Sequence, residues 1–250
     1  MIEVDFIILS FAKNDELRNM TMNCINSLIS SEKENLFLFN IIVLETNNGT
    51  EPYDFINTQT IYPTDKFGFN RYFNIGFKLS SSDYICFCNN DLIFHENWAT
   101  EVFKIEKEHT EIGCFCSIDP WLHKQYEGLQ LNQNFIIGYE KMKHFTGWFF
   151  LTKRKVLEKI EIFDEKLEFW YCDDDFINTM KKYNIPNALV TNSLITHLGS
   201  RTLSTIKGNI KKSFMTYKQW VYFDYKWHHK SKTIYLLKYL KYFFISVLKN

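Results

Sequence analysis

The sequence predicts an α/β fold with a mostly parallel sheet flanked by helices, followed by a helical C-terminal extension. Three observations predict it. Continuous apolar, β-rich runs at Val4–Leu9, Phe39–Leu44 and Tyr84–Cys88 suit strands covered on both faces. Stretches with apolar residues at helical spacing alternate with these runs. The first strand, helix and strand close within about 40 residues, which calls for parallel pairing through a right-handed crossover.

Taken in order, the Val4–Leu9 strand gives way to polar Ser10–Asn14. Leu17, Met20, Cys24, Ile25, Leu28 and Ile29 then recur at helical spacing, with Asn14 or Asp15 as N-cap. Phe39–Leu44 is the second strand, ended by the turn-forming Asn47-Asn48-Gly49. A helix over Phe69–Leu79 precedes the Tyr84–Cys88 strand, which runs directly into Asn89-Asn90-Asp91. Trp98–Glu108 reads as a helix and Gly113–Ile118 as a strand, while 119–145 has no periodic pattern. Met142–Leu151 and Asn187–Thr196 read as strands around a helix at Asp174–Lys182.

The 250 residues hold 29 basic and 29 acidic side chains, and 46% are hydrophobic, which excludes a disordered chain. A zero net charge also argues against a dedicated nucleic-acid binder. The charges are unevenly spread. Thr205–Asn250 holds ten of the basic residues and one acid, leaving 19 basic and 28 acidic residues in 1–204. A body at −9 therefore precedes a tail at +9, and the chain divides at 204/205.

Met1-Ile2-Glu3-Val4-Asp5 has no basic region before its apolar run, so the expectation is a cytoplasmic protein. Cys86-Phe87-Cys88 and Cys114-Phe115-Cys116 fit strand faces of period two better than the usual zinc spacing.

In open α/β sheets, ligands bind at the carboxyl ends of the strands. Three such ends are polar here: Glu45-Thr46-Asn47, Asn89-Asn90-Asp91, and His197 after Ile195-Thr196. A carboxylate with amides after an apolar strand is either a solvated turn or a hard-oxygen corner suited to Mg2+ or Mn2+. Asp173-Asp174-Asp175 likewise has two readings. Three consecutive acids gain from the dipole at a helix start, or one of them serves as a general base.

Seven segments follow one another in a known order. They are Phe6–Ser10, Ile41–Glu45, Tyr84–Asp91, His144-Phe145-Thr146-Gly147-Trp148, Phe163–Leu167, Asp173-Asp174-Asp175 and Thr196–Ser200. Together, across about residues 4–204, they resemble the family 2 glycosyltransferases of the Rossmann-like GT-A fold, including rhamnosyltransferase-like members.

The resemblance implies an inverting transfer from a nucleotide-sugar donor to a saccharide or glycolipid acceptor, with Mn2+ or Mg2+. It implies that Glu45 contacts the nucleotide, with Ser10, Asn47 and Asn74 nearby and Arg71 as a further candidate. Asn89-Asn90-Asp91 stands where the family has Asp-x-Asp, so Asp91 would ligate the metal, and His197 would complete its shell or touch the diphosphate. The two amides are a departure, since they lower the charge of that corner. Ser200, Arg201 and Thr202 would form a phosphate-contacting loop. Asp173 best matches the base of the family's Glu-Asp motif, with Cys172 in place of the Glu; Asp175 is its close competitor and Asp174 a third candidate, since three adjacent acids leave the register open. Gly147 would let backbone approach the sugar, while Trp148, Trp170 and Trp121 offer either sugar platforms or core packing.

Two rivals stand beside this reading. A non-catalytic carbohydrate-binding or scaffold protein on the same fold would explain the amides. A sugar-phosphate nucleotidyltransferase would need a Gly- and Arg-rich loop after the first strand, and Ser10-Phe11-Ala12-Lys13-Asn14 has none.

Thr233–Leu248 sets Leu236, Leu237, Leu240, Phe243 and Phe244 at helical spacing, with Lys238, Lys241 and Lys249 on one side. This basic helix is too short to span a bilayer. It lies on an anionic membrane as a peripheral contact of 233–250, or it packs on the body or a second subunit.

Overall fold

The computed structural model describes the chain except residues 34, 48, 50–53, 127–133, 200–208, 230 and 249–250; at 209–215 and 246–248 it describes backbone only. Nine strands are described: β1 (Ile2–Ser10), β2 (Phe37–Glu45), β3 (Gln59–Ile61), β4 (Tyr84–Asn89), β5 (Leu92–Phe94), β6 (Cys114–Ile118), β7 (Phe135–Ile137), β8 (Phe149–Lys153) and β9 (Asn187–His197). The helices are α1 (Asp15–Ser30), α2 (Phe69–Leu79), α3 (Trp98–Glu108), α4 (Arg154–Lys159), α5 (Cys172–Lys182), α6 (Asn209–Asp224) and α7 (Lys232–Leu248), with a π-helical turn at Tyr225–His229.

The sheet order is β3-β2-β1-β4-β8-β6-β9-β5, with β7 also on β9. Strands β3, β2, β1 and β4 are parallel, as are β6 and β9. Register aligns the carboxyl ends: Ser10 lies opposite Glu45, and Leu9 opposite Asn89. Successive residues of β1 alternate between two cores. Phe6 and Ile8 pack with Trp98 and Phe149, while Ile7 and Leu9 pack with Phe73, Phe87 and Phe176. That double burial is why the strands read as unbroken apolar runs. Each buried Phe contributes about 2–3 kcal/mol of transfer free energy. The cysteine pairs obey the same alternation, Cys86 and Cys88 facing one core and Cys114 and Cys116 the other.

Helices α2 and α3 have the bounds their periodicity predicts, and Asn14 caps α1 by accepting a hydrogen bond from Leu17 N at 3.0 Å. Two expectations need correction, and one direction is added. The strand placed at Met142–Leu151 begins only at Phe149, because 141–146 forms a turn closed by Met142 N donating to Phe145 O at 2.8 Å, with Met142 at φ +64°. Helix α5 starts at Cys172, two residues early, after Tyr171 at φ +63°. The strand at Met142–Leu151 carried no expected direction, and β8 proves antiparallel to both β4 and β6. Strand β8 therefore enters the sheet at the edge where β4 leaves it. Asn89 N accordingly donates to Trp148 O at 2.9 Å.

Candidate active site

The strand ends bring Asp91 and His197 together. Leu92, next to Asp91, pairs with His197 across β5 and β9, and Leu198 N donates to Asp91 O at 2.9 Å. His197 Nε2 lies 3.3 Å from Asp91 Oδ2 without the alignment of a hydrogen bond. Asp91 Oδ1 and His197 Nε2 are both buried and have no hydrogen-bond partner. Two adjacent orphaned donors, one hard oxygen and one imidazole nitrogen, fit a divalent cation of the Mn2+ or Mg2+ kind. No group of three His, Cys, Asp or Glu side chains comes together among the described residues, which offer these two ligands.

His197 is held from two sides. Its ring stacks on Trp148 at 5.0 Å and 9°, and its backbone N donates to Asp119 Oδ2 at 2.8 Å. Such an outer contact fixes how a ligating imidazole points. Trp148 is 7% exposed, so the sugar-platform reading yields to packing: its ring carries the imidazole.

The Asn90 amide of Asn89-Asn90-Asp91 also finds a role. Asn90 Nδ2 donates to Thr21 Oγ1 at 2.8 Å, and that hydroxyl lies 3.0 Å from Ser10 Oγ. A carboxylate cannot donate that bond, so the amide at 90 locks α1 to the ends of β1 and β4. Glu45, fully buried, accepts from Ala12 N at 3.1 Å and Asn47 N at 2.7 Å, while Asn47 Nδ2 donates to Ala12 O. The carboxylate thus ties the exits of β1 and β2 together.

The three acids of α5 separate by geometry. Asp173 is partly exposed, and its Oδ2 lies 3.2 Å from Lys141 Nζ. Burial pushes its carboxyl above the usual range; Lys141 opposes this, and Asp174 adds to it. Asp174 pairs with the same ammonium at 2.7 Å. Asp175 is 4% exposed and faces the other way, toward the tail. Its carboxylate takes Lys226 Nζ at 2.8 Å and Trp227 Nε1 at 2.7 Å. Lys226 also reaches Asp164 Oδ2 at 2.8 Å, where Tyr222 OH donates at 2.7 Å. Asp173 and Asp174 are thus both partly exposed and share Lys141, the longer contact being that of Asp173, whereas Asp175 is consumed by Lys226 and Trp227. The corrected role of Asp175 is to anchor the tail, because Lys226 and Trp227 occupy its carboxylate.

Other candidates are placed differently from expectation. Arg71 Nε donates to Glu165 Oε2 at 3.1 Å, and Asn74 exchanges hydrogen bonds with Phe163 N and O. Both secure the 163–165 segment rather than the strand ends expected for nucleotide contact. Gly147 abuts Asp173 instead of leaving room for a sugar: a Cβ there would stand 2.8 Å from the Asp173 Cβ. Trp170 lends its backbone N–H to Gln219 Oε1 at 2.7 Å, and Trp121 is 71% exposed with Lys124 over its ring. Ser200, Arg201 and Thr202 lie outside the described residues.

Sequence reasoning missed Asp119, His123 and Lys141. Asp119 Oδ1 accepts from Trp121 N and Leu122 N while Oδ2 holds His197, and its own N–H donates to His123 Nδ1 at 2.8 Å. Burial pushes His123 down to about 4, so the ring is neutral, and with Nδ1 accepting, the proton sits on Nε2. The available signal was position: Asp119 directly follows β6, another carboxyl-terminal strand end. Lys141 gave none, since its meeting with Asp173 is purely tertiary.

Residues 11–161 match the model of glycosyl transferase family 2. No curated protein matches the chain. Among solved structures, the chain is similar to the catalytic domain of Drosophila beta1,4galactosyltransferase 7 in complex with xylobiose (16% identity, 86% of this chain, 80% of that one, TM-score 0.55). It is also similar to GalNAc-T7 with UDP, GalNAc and Mn2+ (11% identity, 79% of this chain, 44% of that one, TM-score 0.62). A third is S. aureus TarS 1–349 (11% identity, 92% and 74% coverage, TM-score 0.55). At these identities the likeness establishes a shared fold.

Proposed function

Because the chain belongs to glycosyl transferase family 2, we propose that this glycosyltransferase is metal-assisted and inverting, and moves a sugar from a nucleotide-sugar donor onto a saccharide acceptor. The observation that carries the proposal is the pair of buried, unpartnered atoms, Asp91 Oδ1 and His197 Nε2, at the carboxyl edge of the sheet. A divalent cation held by Asp91 and His197 would supply charge neutralisation for the departing diphosphate. Complexes of proteins with this fold support the ligand classes: GalNAc-T7 is described with UDP, GalNAc and Mn2+, and the galactosyltransferase with xylobiose.

In this proposal the chain's own groups divide the work. Glu45, Asn47 and Ser10 shape the rigid floor at the exits of β1 and β2 against which the nucleotide is held. The Asp173 carboxylate takes the proton of the acceptor hydroxyl as that oxygen bonds to the sugar's anomeric carbon. The bond from that carbon to the diphosphate oxygen breaks, and the diphosphate leaves with the electron pair. Attack from the face opposite the leaving group inverts the centre. Lys141 favours the ionised form of Asp173 against the pull of burial. The proposal also places the reaction in the cytoplasm, in assembly of a surface glycan.

A thermal-shift screen of nucleotide-sugars with and without Mn2+ tests this. Stabilisation by one nucleotide class in the presence of Mn2+, lost in Asp91→Asn and His197→Ala, is the expected result. Absence of any shift across the screen would remove the transferase reading.

A further inference from the structure

Helix α7 packs with its tyrosines and presents its aliphatic side to solvent. At about 100° per residue, Tyr235, Tyr239 and Tyr242 share one side. Tyr242 stacks on Tyr217 of α6 at 4.7 Å and meets Trp220 edge-on at 5.1 Å, while Tyr235 lies 5.1 Å from Tyr225. Leu236, Leu237, Leu240, Phe243 and Phe244 fall within an arc of about 120° on the opposite side. They are exposed, Leu237 by 64% and Phe244 by 56%. Lys238, on the packed side, is drawn inward to Asp224 at 2.6 Å. Exposed Lys232 and Lys241 instead border the apolar arc, one on each flank. A contiguous exposed stripe of five large apolar side chains marks an interaction surface.

Charge selects the occupant. The segment 205–250 carries ten basic residues and one acid. A two-fold contact of this stripe with a second copy would set two such tails against each other. A lipid surface rich in phosphate attracts the same charge. We propose that α7 docks the protein on an anionic membrane surface, with the Leu and Phe side chains at the headgroup boundary and Lys232 and Lys241 against lipid phosphates. No described helix is long and apolar enough to cross a bilayer, and a helix with one apolar side lies in the interface. The inference is independent of the transferase reading.

Sedimentation of the full chain with vesicles tests it. Vesicles of phosphatidylcholine with phosphatidylglycerol are expected to pellet the protein, with binding weakened by salt, whereas pure phosphatidylcholine pellets little. The double variant Leu237→Glu/Phe244→Glu, whose sites are solvent-exposed, is expected to lose binding by about tenfold or more, as is Lys232→Glu/Lys241→Glu, with unchanged circular dichroism. Wild-type protein left in the supernatant, or variants that bind as well as wild type, would overturn the proposal. So would a concentration-dependent dimer in light scattering that Leu237→Glu/Phe244→Glu abolishes, since the stripe would then belong to a second copy.

Discussion

Gly147 and Asp173 touch, with no room left for a side chain between them: a Cβ built on Gly147 would lie 2.8 Å from the Asp173 Cβ and 3.1 Å from its Oδ2. The turn entering β8 thus sets the position of the carboxylate at the start of α5. Gly147→Ala is expected to displace Asp173 while leaving the two cores untouched. Misplacing a reacting group by about 1 Å costs on the order of 100-fold in rate. Transfer kinetics should show that loss in kcat at nearly unchanged melting temperature; full activity in the variant would remove Asp173 from the reaction.

Lys141 gives a pH-dependent prediction. Burial raises the Asp173 pKa and Lys141 pulls it down, so removing the ammonium raises it further. A base must be ionised, and therefore the acid limb of kcat/KM is expected to move to higher pH in Lys141→Met. A limb that stays in place would show that another group controls it.

Lys226 is the counter-charge of buried Asp175 and of Asp164. Removing one partner of a buried pair strands the other, at a cost of about 3 kcal/mol. Lys226→Met should show that loss in chemical denaturation. Asp175→Asn should retain most catalytic rate per folded molecule, unlike Asp173→Asn. A rate collapse in Asp175→Asn without loss of stability would return Asp175 to the chemistry.

Asp5 predicts the acid stability of the sheet. Burial pushes its pKa up, but hydrogen bonds from Ser82 Oγ, Ser82 N, Asn40 Nδ2 and Ser81 N outweigh that and hold it below 3.8. A depressed carboxylate stabilises the fold above its unfolded pKa, and that stability is lost as pH falls through the folded value. Asp5→Asn is expected to cost about 2 kcal/mol at neutral pH. It should also flatten the stability profile below pH 3.8, as read by denaturant titrations across pH.

What the sequence made legible was whatever local chemistry decides. The β1 run is unbroken because both sheet faces are covered, and α2 and α3 end where their apolar period ends. Asp91 and His197 were visible because they close apolar strands. The three-residue strands β3, β5 and β7 were invisible, since pairing alone makes them strands. Direction was equally hidden: nothing in Phe149–Lys153 says that it runs against its neighbours. Nor could adjacency separate Asp173 from Asp175, whose partners stand 32 residues upstream and 51 residues downstream.

The reversal of β8 has one more consequence. A parallel strand receives its loop from the far side of the sheet, whereas β8 begins at the site itself, so 138–148 reaches the reaction edge directly before pairing starts at Phe149. Residues inserted into or lost from that approach leave the five β4–β8 pairs untouched. The same stretch holds Lys141, Gly147 and Trp148, so a change in its length is felt at Asp173 and His197 instead of in the sheet.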